Sequence, residues 1–139
     1  MGEIIAFANT HPILASLVVG FLIAVLAYEV RLKAQGLLQI STQMAVQLIN
    51  KGAVVVDVRP PEAFAGGHIL NARNIPLTRI ATEPDPIKKK KDKLVLTVCD
   101  TGPVGRRAAE LLRKAGYGSS FSLQGGLGAW RGDSLPLVK

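Results

Sequence analysis

Apolar residues in this chain follow three different spacings. Between Ile4 and Tyr28 there is no Asp, Glu, Lys or Arg, and from Ile13 to Ala27 nearly every residue is apolar. A membrane-spanning helix needs ~20 predominantly apolar residues, and Gly20 inside the run is tolerated in lipid. Lys33-Ala34-Gln35-Gly36 then reads as a short polar connector. After it, helical stripes alternate with short apolar runs. Leu37 to Ile40 is an edge strand. Ser41 or Thr42 caps a helix that turns Ala45, Leu48 and Ile49 inward and closes at Gly52. Ala53 to Val58 is β-branched and continuous, as in a central parallel strand. Pro60-Pro61 opens a turn or short helix through Phe64. Ala72 to Ile75 forms a further strand, and Thr82 to Lys91 a charged, proline-broken excursion. Leu94 to Val98 is a strand buried on both faces, followed by a helix with Ala108, Leu111, Leu112 and Ala115 on one stripe and Gly116 at its end. Ser120 to Leu123 is the last strand, and a short helix carries Trp130. Strands alternating with helices predict an α/β fold, a parallel sheet with flanking helices, preceded by one N-terminal transmembrane helix. Residues 1–33 form the anchor and juxtamembrane segment, and 34–139 the domain.

Charge refines this picture. A cleaved signal would carry Lys or Arg before its apolar core, and only Glu3 is found there. Glu3 and His11 flank one end of the run, Arg31 and Lys33 the other. Positive residues stay on the cytoplasmic side, so the sequence predicts a single-pass protein of the inner (cytoplasmic) membrane with its C-terminal domain cytoplasmic. The lone cysteine excludes an intramolecular disulfide and suits that reducing side. The net charge of +7 comes largely from Lys88-Lys89-Lys90-Lys91-Asp92-Lys93. No aromatic residue flanks this run and no nucleic-acid fold signature accompanies it, so nucleic acid is not expected as a partner. For a tethered domain, anionic membrane lipid is the functional alternative to a solvated loop.

The candidate chemistry lies at Cys99, where the buried strand gives way to Asp100-Thr101-Gly102-Pro103-Val104-Gly105 and a helix beginning near Arg106. A glycine-containing loop at a helix start presents backbone N–H groups, and a thiolate is stabilised there. The bland alternative is a small buried hydrophobe. His11 and His68 have no ligand partners at metal spacing, so no metal site is expected. His68 reads as a turn-fixing residue that bonds to backbone. Asp57 and Arg59 end their strand at the edge where ligands bind in parallel sheets, either at the pocket or as a structural ion pair, with Glu62 as a partner for Arg59. Gly125-Gly126 reads as a turn, and Trp130 as a core residue whose indole N–H bonds a carbonyl.

Val56-Asp57-Val58-Arg59, Phe64 with Gly67-His68-Ile69, Ala72-Arg73-Asn74-Ile75-Pro76, the Cys99 loop, Gly125-Gly126, and Trp130 with Leu135-Pro136 stand in the order of the rhodanese-like sulfurtransferase family. The chain resembles that family from about Leu37 to Pro136, most closely its membrane-anchored, single-domain members. The resemblance implies that Cys99 takes sulfane sulfur from thiosulfate or a persulfide and passes it to a thiol or cyanide. It also implies that the loop of Asp100, Thr101, Gly102, Val104, Gly105 and Arg106 holds the charged sulfur, with no cofactor. A cysteine phosphatase places Arg after five intervening residues, where this chain has Gly105. The loop departs from the pattern of the family it resembles in three ways. Asp100 follows the nucleophile, Pro103 removes an N–H, and Val104 stands where Arg is common. Each weakens binding of an anionic donor. The alternative function is a catalytically weak module docking a membrane protein partner.

Overall fold

The computed structural model describes residues 1–88 and 91–139 and, within these, no side chains of residues 34–36. The chain divides into two units, Met1–Leu37 and Leu38–Lys139. The first holds helices α1 (Gly2–Thr10) and α2 (Pro12–Gly36). Pro12 opens α2, where a missing N–H costs nothing. The expected connector from Lys33 to Gly36 is instead the last turn of α2. Pro12–Lys33 is a stretch of 22 residues whose most apolar 18-residue window has mean hydropathy 2.4 and no buried residue. At 1.5 Å per residue it is ~33 Å long, enough to cross a bilayer core.

The second unit runs β1 (Gln39–Ile40), α3 (Thr42–Asn50), β2 (Val54–Asp57), α4 (Pro61–Ala65), β3 (Arg73–Asn74), α5 (Leu77–Thr82), β4 (Val95–Val98), α6 (Pro103–Lys114), β5 (Ser120–Leu123) and α7 (Gly126–Gly132). The strands form one parallel sheet in the order β1-β5-β4-β2-β3. β4 is central and fully buried because successive side chains feed opposite faces. Val95 joins Val56, Ile80, Ile87, Ala108, Leu112 and Tyr117 on one face. Leu96 and Val98 join Ala45, Val55, Ile69, Leu123, Leu127 and Trp130 on the other. This is the α/β fold that the sequence predicts, a parallel sheet with flanking helices.

Three expectations change. α5 is not among the expected elements: Leu77 and Ile80 have helical spacing, but six residues are too few for a periodic signal. It forms because Ile80 is drawn into the core. The excursion before β4 is less polar than its composition: Ile87 is wholly buried, and Tyr117 Oη donates to Asp85 Oδ1. Lys89 and Lys90 of the lysine run lie outside the described residues. Finally, α6 begins at Pro103 rather than near Arg106. Gly102 adopts φ +115°, a conformation that favours glycine, and Pro103 then starts the helix with its φ already set.

Candidate functional site

Cys99 follows β4 at the C-terminal edge of the sheet. Its side chain is 3% exposed. It forms the floor of a cleft of about 220 Å³, whose walls are Val58, Arg59, Pro60, Asp100, Thr101 and Val104. The Gly102 N–H donates to Cys99 Sγ at 3.0 Å, so one backbone donor already points at the position a sulfur anion would occupy. A Cβ on Gly102 would lie 3.2 Å from the Gly125 nitrogen, a tight backbone contact added to a φ that side chains rarely adopt.

The loop is held from outside by α7. Leu127 N–H donates to the Cys99 carbonyl at 2.8 Å and Gly128 N–H to the Asp100 carbonyl at 3.0 Å. Each trans peptide turns its N–H opposite its carbonyl. The N–H groups of Asp100 and Thr101 are therefore directed away from α7. The Gly125-Gly126 turn permits this clamp, with φ values of +73° and +59°. A Cβ on Gly126 would collide with the Cys99 carbonyl oxygen. The pair is thus a turn, and also a contact surface for the cysteine loop.

Arg59 organises the opposite wall. Its Nε donates to Asp57 Oδ1 at 2.9 Å, and its Nη2 donates to Asp57 Oδ2 and to the Gly67 carbonyl, both at 2.7 Å. Its Nη1 reaches Asp100 Oδ1 at 3.3 Å. Hydrogen bonding to Asp57, with the attraction of Asp57 and Asp100, raises the Arg59 pKa above its usual value, although burial opposes this. Asn74 braces the corner by donating to the Arg59 carbonyl at 2.8 Å. Glu62, expected to pair with Arg59, is exposed instead, because the buried Asp57 carboxylate two residues back takes the guanidinium. The Asp100 side chain, 62% exposed, stands at the mouth of the cleft with its charge partly answered by Arg59.

Cys99, Asp100, Thr101 and Val104 thus come together around one cleft, with Gly102 beneath the sulfur. Gly105 turns toward the sheet, where its carbonyl accepts from Thr97 Oγ1 at 2.6 Å. Arg106 is half-buried on α6 and is not part of the cleft wall. Val58 and Pro60 are walls the sequence did not reveal. His68 fixes its turn as expected, with Nδ1 2.9 Å from the Phe64 carbonyl and its ring stacked on Phe64. Trp130 Nε1 donates to the Pro136 carbonyl at 3.0 Å. A second cleft, between Val46, Ile49, Ile69, Trp130 and Leu135, has no nucleophile or titratable side chain. Among the described residues, no cluster of three or more His, Cys, Asp or Glu side chains could hold a metal.

Residues 41–133 match the family model described as a rhodanese-like domain. YibN of Escherichia coli (strain K12) is 37% identical over 141 aligned positions, covering 100% of this chain and 99% of YibN. The thiosulfate sulfurtransferase GlpE of Pseudomonas entomophila (strain L48) is 37% identical over 94 residues, covering 67% of this chain and 84% of GlpE. The structure of the human single-domain sulfurtransferase TSTD1 superimposes with a TM-score of 0.62 at 27% identity. It covers 68% of this chain and 96% of its own.

Proposed function

The chain belongs to the rhodanese-like domain family, and from that premise we propose that it is a membrane-anchored sulfurtransferase carrying sulfane sulfur as a persulfide on Cys99. The observation that carries the reading is the single cysteine on the floor of a small cleft with a backbone N–H on its sulfur. In the first half-reaction the Cys99 thiolate attacks the outer sulfur of the donor. The Sγ–S bond forms as the donor's own sulfur–sulfur bond breaks, and the rest of the donor leaves with the electron pair, as sulfite or a thiolate. In the second, a thiolate or cyanide attacks that outer sulfur and Cys99 departs as thiolate. Electrons balance without an added oxidant or reductant. The Gly102 N–H lies where it would stabilise the Cys99 sulfur in both states.

The walls favour a particular donor. Arg59 is engaged by Asp57, Asp100 and the Gly67 carbonyl, so its charge is already committed. Asp100 adds a negative charge at the mouth, and Val104 supplies none. A neutral or protein-bound persulfide fits this cleft better than free thiosulfate. The apolar length of Pro12–Lys33 supports a single-pass anchor, and Arg31 and Lys33 at its far end support a cytoplasmic domain.

Mass spectrometry after incubation with thiosulfate or a low-molecular-weight persulfide tests the reading. One added sulfur is expected on Cys99, absent in Cys99→Ser at an unchanged circular dichroism spectrum. A folded wild-type protein that takes sulfur from neither donor would favour the alternative module that docks a partner protein, a role to which the acid at the cleft mouth is also suited.

A further inference from the structure

In a parallel sheet every strand starts at one pole and ends at the other, and Cys99 lies at the end pole. The start pole is built from the residues entering β2, β4 and β5 and from the C-terminal ends of α3 and α6. It is strongly basic. Lys51 closes α3, Lys91 and Lys93 lead into β4, and Lys114 ends α6. All four are exposed, as is Lys88. Lys91 lies against Gly116 and over the Tyr117 ring, at 6.0 Å from Nζ to the ring centre, which joins the lysine run to the end of α6. Three acids stand beside these lysines: Asp92 is exposed, Asp85 is exposed but accepts from Tyr117 Oη and the Lys88 N–H, and Glu83, which feels the Lys88 charge, is paired with Arg79. The end pole carries both signs: Arg59 is tied to Asp57 and Asp100, and Arg107 pairs with Glu110 at 3.7 Å.

The chain also enters the domain at the start pole. Leu38 is buried, and β1 runs parallel to β5 and β4. Four residues, 34–37, separate the apolar stretch from Leu38, and even fully extended they span only ~14 Å. We propose that the lysine-rich start pole is a docking surface for anionic lipid headgroups, which turns the Cys99 cleft away from the bilayer toward a soluble donor and acceptor. The six residue steps from Lys93 to Cys99 place the sulfur ~20 Å further from that surface along the strand direction. The inference rests on the membrane-anchored reading and adds a face and an orientation to it.

The test uses the full chain in nanodiscs of phosphatidylcholine alone or with phosphatidylglycerol. Lysine acylation and Cys99 alkylation are followed by peptide mass spectrometry, Cys99 being the single thiol. Acylation of Lys51, Lys88, Lys91, Lys93 and Lys114 should slow by about threefold or more in the anionic discs and recover at high salt, since surface attraction is screened. Cys99 alkylation should be equal in both discs. A Lys88→Glu, Lys91→Glu, Lys93→Glu variant should stay in the disc and lose the protection. Equal acylation in both discs, protection of Cys99 by the anionic lipid, or protection of the lysines by added RNA but not by phosphatidylglycerol would each overturn the proposal. Failure of the chain to remain with the discs would instead overturn the anchor.

Discussion

Gly126 and Val104 set the geometry and the charge of the Cys99 cleft. Gly126 at φ +59° lies directly against the Cys99 carbonyl, so Gly126→Ala adds both backbone strain and a clash with main-chain atoms that cannot rotate aside. We expect it to cost on the order of 3 kcal/mol and to lower the melting temperature by about 10 °C or more. A melting curve matching wild type would show that the loop is not clamped by α7. Val104 is 44% exposed on the cleft wall, so Val104→Arg should leave stability within about 0.5 kcal/mol. It should raise kcat/KM for thiosulfate severalfold at low salt, because it adds an uncommitted cation where Arg59 offers none. No gain at low salt would reject the electrostatic account of donor preference. That Cys99 and Asp100 lie together with Thr101 and Val104 was legible in the sequence, as consecutive or near positions of one loop. Val58 and Pro60 were not, because they join the site only through the pairing of Asp57 with Val98 across β2 and β4. The Arg59–Asp100 contact, 41 positions apart, depends on the same register.

Elements with a strong periodic signal were legible, and those made by tertiary context were not. The β-branched run of β2, the apolar run of β4 and the stripe of α6 each dictate burial on a definite face, so the parallel sheet follows from them. α5 is too short for its Leu77–Ile80 spacing to stand out, and it is held because Leu77, Ile80 and the following Ile87 pack into the core with α6. On its surface Arg79 pairs with Glu83, at 2.9 Å. The hydrogen bond from Arg79 chiefly holds the Glu83 pKa below its usual value. A carboxylate lowered in the folded state stabilises it above the unfolded pKa, and that contribution is lost as pH falls through the folded value. The pair is exposed, so the effect is small and screened by salt. Amide-exchange protection factors of α5 should therefore fall between neutral pH and about pH 3.5, below the unfolded Glu value. The fall should be weaker in Glu83→Gln and at high salt. An identical fall in the variant would assign it to other carboxylates.

The whole chain is two units that differ in what they bury. Met1–Leu37 buries none of its most apolar window, whereas Leu38–Lys139 contains both core clusters and every strand. A domain of about a hundred residues can support its own core, and the boundary falls just before Leu38, the first buried residue among those described. A fragment covering 37–139 should therefore be soluble without detergent, unfold in one cooperative transition and still accept sulfur on Cys99. The full chain should stay with membranes through a carbonate wash and leave only with detergent. Fusion of Met1–Leu37 to an unrelated soluble protein should transfer that behaviour, since the apolar run alone carries it. A fragment that aggregates or melts non-cooperatively would mean that the first unit completes the core of the second. Release of the full chain by carbonate would remove the anchor, while leaving the fold and the Cys99 cleft to be judged on their own measurements.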